Sequence, residues 1–291
     1  MGRSVPELCR RNVGEMSLSL DDRLFARAGI LVAFSERTGG ASTPPFDSLN
    51  LGSHVGDDPT SVDLNRSALL EAVELADLAD RLVTAEQVHG DRVLRVTETD
   101  AGRGAHAGSG APPIPATDGL VTTQTDLPLL MLFADCVPVV LVATGSVRTV
   151  GVAHAGWRGA LGRVSSALAR EVSAISGAAP SELLGYIGPH IGSCCYNVDA
   201  TLISQFRNTF GTITAVDGRL DLGAAVRADL IDAGLRPDAI ASLDTCTHDH
   251  TERYFSYRAR QQTGRHGALV AITKGLTDDT SAPAPAGAGD S

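Results

Sequence analysis

The stretch "LPLLMLFADCVPVVLVA", residues 127–143, is the longest apolar run in a chain of 291 residues. It falls short of the roughly 20 residues that a membrane span needs and carries Asp135 and two prolines, so it belongs in a globular core. Divided at Asp135 and Cys136, it gives two runs rich in branched apolar residues, 128–134 and 138–143, which suggest buried strands with no helical segment between them.

Similar runs stand at 29–34, 119–123, 148–154, 183–187 and 268–273. Helical periodicity appears in "SVDLNRSALLEAVELA" (61–76), "RGALGRVSSALAREVSAIS" (158–176), "DATLISQFRNTF" (199–210) and "DLGAAVRADLIDAG" (221–234). The strands crowd the middle of the chain without strict alternation with helices. That pattern predicts an α/β fold with a mixed β-sheet flanked by helices rather than a regular parallel sheet. Residues 1–25 read as an N-terminal extension, 26–274 as the domain and 275–291, "GLTDDTSAPAPAGAGDS", as a disordered tail too poor in apolar groups to repay ordering. The segment "AGRGAHAGSGAPPIPA" (101–116) reads as a mobile surface loop.

Composition excludes several classes of function. A net charge of −10 with scattered arginines opposes general affinity for nucleic acid, and no segment predicts a membrane partner. Lys274 is the only lysine, so an anionic ligand would meet guanidinium groups. The five cysteines (Cys9, Cys136, Cys194, Cys195, Cys246) are odd in number and irregularly spaced, and the N-terminus has no apolar signal core, which places the protein in a reducing cytoplasm. No segment of the sequence calls for a second copy, and a monomer is the expectation.

Three metal-capable side chains end apolar runs: His89 in "AEQVHGDRV", Cys136 in "LFADCVP" and His154 in "GVAHAGWRG". If they converge, a His, Cys, His set leaves a fourth tetrahedral position for water or substrate, as catalytic zinc sites do. Spacing alone leaves plainer alternatives open: a core thiol at Cys136, a turn histidine at His89 and a core histidine at His154. After His154, Ala155 and Gly156 keep the backbone open, and a helix starting near Arg158 would set a guanidinium beside the imidazole as an anion site. In "IGPHIGSCCYNV" (187–198), His190 can reach a pocket or face solvent. Adjacent cysteines rarely close a ring, so Cys194 and Cys195 read as one buried thiol and one incidental one.

Six motifs in order, "SERTGGASTPPFDSLNLGSHVGDD", "QVHG", "ADCVP", "AHAGWRG", "IGPHIGSCCYNV" and "YFSYRARQQTGRHG", make residues 29–273 resemble the YfiH-type family. That family was long labelled polyphenol oxidase or laccase domain and is now regarded as zinc-dependent purine nucleoside phosphorylases. The resemblance implies a single α/β domain of three-layer αβα type. It also implies a zinc held by His89, Cys136 and His154, which are then the catalytic centre as well. Phosphorolysis of adenosine, inosine, guanosine and methylthioadenosine comes with it, along with some adenosine deamination. Arg37, Asn50, Arg158, His190 and Arg258, all in the matched motifs, are the expected contacts for nucleoside and phosphate, with Arg158 first for phosphate. The chain departs from the family pattern at Glu36, Asn197 and Ala259, none of them an expected zinc ligand. The missing arginine at 259 removes any contact that position makes in relatives.

Rival readings remain at this level. A copper polyphenol oxidase would need histidine clusters for several coppers, and the chain has eight histidines in all. A cysteine hydrolase or amidase would use Cys136 as nucleophile. A non-catalytic zinc-binding module would show a fourth protein ligand, for instance Cys194, His190 or His248.

Overall fold

The two halves of the 127–143 run do not pair with each other. In the computed structural model, which describes residues 5–274, strand β7 (Leu129–Phe133) lies in one six-stranded sheet and β8 (Val137–Ala143) in another. The chain crosses between the sheets at Ala134, Asp135 and Cys136, and Asp135 makes the turn with φ of 91°. The expected disorder of 275–291 concerns residues outside those described.

The first sheet also contains β1 (Cys9–Val13), β2 (Met16–Leu20), β3 (Ile30–Ser35), β4 (Val83–Thr84) and β14 (His266–Ile272), in the order β1-β2-β3-β14-β7-β4. The second contains β5 (Val93–Arg95), β6 (Gly119–Thr122), β9 (Thr149–Ala155), β10 (Leu184–Ile187) and β13 (Ile240–Ser242), in the order β13-β10-β8-β9-β6-β5. Both are mixed: β4 runs parallel to β7, and β5 and β13 parallel to β6 and β10, while the inner pairings are antiparallel. A small hairpin, β11 (Ala215–Val216) with β12 (Arg219–Leu220), stands apart.

Side-chain alternation explains why these strands are apolar throughout. On β8, Val140 and Val142 enter the core between the sheets, where Met131, Phe133 and Val270 of the first sheet meet them. Val139 and Leu141 point the other way, into a core shared with helices α3 (Trp157–Leu161), α4 (Val164–Ser176), α5 (Ala200–Phe210) and α6 (Leu222–Asp232). Leu130 and Leu269 on the outer face of the first sheet pack with Leu69 and Leu70 of α2 (Pro59–Ala72). The inner strands β7, β8, β9 and β14 are therefore buried throughout and have no polar alternation to show. Each such Leu or Val contributes roughly 1.5–3 kcal/mol by burial. The mixed α/β class with flanking helices stands, but the strands are divided between two stacked sheets rather than gathered in one. Apolar periodicity reports that a face is covered, and it does not report by what.

Three local differences from the expected elements stand out. The helix expected over 158–176 is broken at Gly162 and Arg163 into α3 and α4, with Arg163 left-handed at φ of 60° and its guanidinium on Asp229 and Asp232. Residues 1–25, read as an extension, supply β1, β2 and the start of helix α1 (Asp22–Ala28), with β1 at the sheet edge and Leu18 of β2 paired to Ser35 of β3. Serines alternate with the apolar residues of β2, and β1 is polar and exposed, so neither carried an apolar signal. Arg10 of β1 and Arg253 both bind the buried carboxylate of Glu36, one of the departures from the family pattern. Burial pushes that carboxyl up, and the two guanidinium groups outweigh it and hold it down. The 101–116 loop is pinned near its ends: Gly104 and Ala105 carbonyls accept from Arg66, and Ile114 is buried beside Ala85.

Candidate metal centre and its cavity

Strand direction brings the three distant segments together. Parallel β5 and β6 begin at the same end of the second sheet; antiparallel β9 ends there, and β8, antiparallel to β9, begins there. His89 precedes β5, Asp118 precedes β6, Cys136 precedes β8 and His154 lies next to the last residue of β9. The ligating atoms of His89, Cys136 and His154 all lie within 4.8 Å of one another. The His89 and His154 rings meet edge to face at 4.7 Å between centroids.

Asp118, which sequence reasoning missed, organises the group. Its carboxylate is fully buried and accepts from the backbone N–H groups of Val88, His89 and Gly90 at 3.1, 3.0 and 2.7 Å, holding the loop that presents His89. The Nδ1–H of His154 donates to Asp118 Oδ1 at 2.8 Å, and the His154 backbone N–H donates to the Asp118 carbonyl. Fixing Nδ1 leaves Nε2 of His154 as the ligating nitrogen, the arrangement by which carboxylates orient metal-binding histidines. The only trace of this in the sequence is a carboxylate heading an apolar run, "TDGLVTT", which many strands share.

The electrostatics favour a cation. Burial pushes the Cys136 thiol up, but His154 and His89 outweigh it and hold it at about 6. Burial pushes His154 down, and Cys136 and Asp118 outweigh that and raise it to about 9. The pair thus lies on the thiolate and imidazolium side, with a proton where a metal ion would sit. Two imidazoles and a thiolate with an open fourth side fit a catalytic zinc-type ion. Among the described residues no fourth His, Cys, Asp or Glu joins this group. Cys194 belongs to a separate cluster, and His190 Nδ1 is bonded to the Gly188 carbonyl at 2.8 Å.

Glycines permit the close approach. A Cβ at Gly156 would fall 2.7 Å from the His89 ring and 3.1 Å from Cys136 Sγ, and one at Gly159 would fall 2.6 Å from the Gly90 carbonyl. "AHAGWRG" therefore packs directly on the His89 loop.

The group opens into a cavity of about 510 Å³, lined also by Trp157, Arg158, Tyr196, Tyr257, Arg258 and Arg265. Of the expected substrate contacts, Arg158 and Arg258 line it. Arg37, Asn50 and His190 do not, because other bonds hold them within the protein. The Arg37 guanidinium donates to the carbonyls of Asp47 and Thr251 and stacks on Phe255. The Asn50 side chain is fully buried, donates to Asp57 and accepts from the backbone N–H groups of Gly52 and Arg265, so it positions Arg265 from behind. His190 is buried against Gly223. Asp135 accepts from Thr247 Oγ1 at 2.7 Å and from the Arg258 backbone N–H at 2.6 Å, tying the segment that carries Tyr257 and Arg258 to Cys136. Ala259 is exposed, and its N–H donates to Ser256 Oγ.

Residues 31–273 match the family described as "Multi-copper polyphenol oxidoreductase laccase". A Geobacillus stearothermophilus protein named "Purine nucleoside phosphorylase YlmD" is 39% identical over 252 residues, covering 84% of this chain and 90% of its own length. The Escherichia coli K12 protein named "Purine nucleoside phosphorylase YfiH" is 33% identical, covering 83% of this chain and 93% of its own. Among solved structures, YlmD from Geobacillus stearothermophilus superposes with a TM-score of 0.82 at 34% identity, over 92% of this chain and 100% of that one. A Bacillus licheniformis hypothetical protein YfiH gives the same TM-score at 32% identity, over 91% and 99%.

Proposed function

Because the chain belongs to the family described as multi-copper polyphenol oxidoreductase laccase, whose relatives include proteins named YfiH and YlmD purine nucleoside phosphorylase, we propose that it is a zinc-dependent purine nucleoside phosphorylase. The reaction joins a phosphate oxygen to the sugar C1′ as the bond from C1′ to the purine nitrogen breaks, giving free base and the sugar 1-phosphate, which is ribose 1-phosphate from adenosine, inosine or guanosine and 5-methylthioribose 1-phosphate from methylthioadenosine. Adenosine, inosine, guanosine and methylthioadenosine are the substrates of this reading, with adenosine deamination as a side activity, and the cytoplasm is its compartment.

The observation that carries the reading is one guanidinium. Arg66 is saturated by backbone carbonyls, and Arg258 and Arg265 each spend Nη1 on carbonyls. Arg158 stacks on Trp157 at 4.3 Å and, among the described residues, binds no carboxylate or carbonyl. It keeps its whole planar fork for an anion inside the cavity that holds the His89, Cys136 and His154 group. Trp157, Tyr196 and Tyr257 offer aromatic surface to a purine, and a transition state with oxocarbenium character is served by placing the phosphate oxygens beside C1′. His89, Cys136 and His154 would hold the zinc, which supplies Lewis-acid charge and an open coordination position.

Copper chemistry of the multi-copper kind does not suit this donor set, which includes only two of the eight histidines. A second reading has one specific observation behind it: Cys136, His154 and Asp118 resemble a nucleophile, base and orienting carboxylate. His89 favours the metal reading, because a second imidazole on the same sulfur has no task in a hydrolase and is a ligand in a metal centre.

The test is product identification from adenosine with and without phosphate. Adenine and ribose 1-phosphate that appear only with phosphate are expected. Equal release of adenine and free ribose without phosphate refutes phosphorolysis, and full activity in a metal-free Cys136→Ala variant refutes the centre.

A further inference from the structure

Apart from that centre, three thiols and one carboxylate meet where two loops cross. We propose that Cys194, Cys195, Cys246 and Asp249 form a second, structural metal site for one zinc-class ion, independent of whichever reaction the cavity performs. Their ligating atoms all lie within 4.8 Å of one another. Zinc bonds of about 2.3 Å to sulfur and 2.0–2.2 Å to oxygen put tetrahedral neighbours roughly 3.5–3.8 Å apart, within reach of small side-chain rotations. Four protein ligands close the coordination sphere, which is the mark of a structural site, whereas the first centre offers three and a cavity.

The surroundings are arranged for it. Cys194 and Cys195 both donate to Asp249, at 3.0 Å to Oδ2 and 2.8 Å to Oδ1. The adjacent cysteines, read from the sequence as one buried and one incidental, thus point at the same carboxylate. The Gly192 backbone N–H donates to Cys246 Sγ at 3.3 Å, a bond that supports a ligating thiolate. A Cβ at 192 would fall 3.1 Å from Cys194 Sγ and 3.3 Å from Cys246 Cβ, so a larger residue there would crowd the cluster. His248 has a buried Nδ1 without a hydrogen-bond partner, 3.8 Å from Asp249 Oδ1, poised to hold the carboxylate from outside.

A disulfide is a poorer account. All five cysteines are free thiols, one bridge would leave a third thiol over, and Asp249 would have no part in it. On metal binding the three thiols release their protons to water and the carboxylate binds ionised. The ion would staple the loop carrying Ile191 and Tyr196 to the segment carrying Tyr257 and Arg258, two walls of the cavity. The strap is already outlined by the Thr247 N–H donating to the His190 carbonyl.

The experiment is metal analysis of full-length protein loaded with zinc and freed of excess. Wild type should hold two ions per chain, Cys136→Ala one, and the Cys194→Ser, Cys246→Ser double variant one. An ion retained in Cys136→Ala identifies the second site even if the first centre is misread. If the serine variant fails to fold, cobalt(II) in Cys136→Ala decides. Asp249→Cys in that background should keep the ion and strengthen the sulfur-to-cobalt absorption by about a third, as three thiolates become four. No ion in Cys136→Ala overturns the site, and so does a wild-type mass two units low with two of these thiols resistant to alkylation.

Discussion

Two clusters in this molecule use the same side-chain chemistry to opposite electrostatic effect. In one, Cys136 faces two imidazoles and its thiol is held at about 6; in the other, Cys194 faces Asp249 and two more thiols. Burial, the Asp249 carboxylate and Cys246 push Cys194 up to about 11, and Cys195 is pushed up for similar reasons. The first is a preformed site: its anion is made before any metal arrives, and Asp118 holds it in place. In the second, Cys194 and Cys195 keep their protons, donated to the Asp249 carboxylate, until a cation takes the protons' place. A site that must leave a position open needs its ligands fixed by the protein, whereas a closed site can let the ion gather them.

The largest effect expected from breaking this contrast is at the first centre. His154→Ala or Cys136→Ala should abolish turnover, because two remaining ligands do not hold the ion in a site that keeps one position open. The check is parallel measurement of activity and metal content, with loss of both expected.

Next comes Arg158, which lines the cavity of the first centre. Arg158→Ala should lower phosphorolysis about a hundredfold, for a charge-assisted bidentate contact worth about 2–3 kcal/mol, with lysine restoring only part. Adenine and inosine formation from adenosine, followed together, separate the roles. Selective loss of adenine marks a phosphate contact, and proportional loss of both marks support of the fold or nucleoside.

Asp118 carries the preorganisation itself. Asp118→Asn should weaken metal affinity of the first centre by about 10–100-fold, since the amide cannot take three backbone N–H groups and fix His154 Nδ1 together. Competition with a chelator reads the change, and wild-type affinity would show that the loop holds without the carboxylate.

The smallest perturbation only listens. In metal-free protein a thiol is reactive as its thiolate, so a lowered pKa means labelling at lower pH. Iodoacetamide should modify Cys136 half-maximally near pH 6 and leave Cys194 largely untouched until the pH nears 11. Mass mapping of labelled peptides across that range checks the order, and Cys194 labelling first would reverse the comparison.

The sequence by itself located the buried strands and several helices, and it singled out the residues of the candidate site. The apolar runs located β3, β6 to β10 and β14, because strands covered on both faces must be apolar throughout. Helical periodicity located α2, α5 and α6, and the motifs pointed to His89, Cys136, His154, Arg158 and Arg258 as residues to watch. Tertiary structure alone decided that β7 and β8 lie in different sheets, since a covered face looks the same under a helix or under another sheet. It alone revealed Asp118, whose role depends on where β6 begins relative to the end of β9, a matter of register that spacing along the chain does not encode. It took Arg37, Asn50 and His190 out of the cavity, because a polar side chain's partner is set by what folds against it. It also turned Cys194 and Cys195 into a pair aimed at one carboxylate, which requires Cys246 and Asp249 to arrive from a segment some fifty residues on.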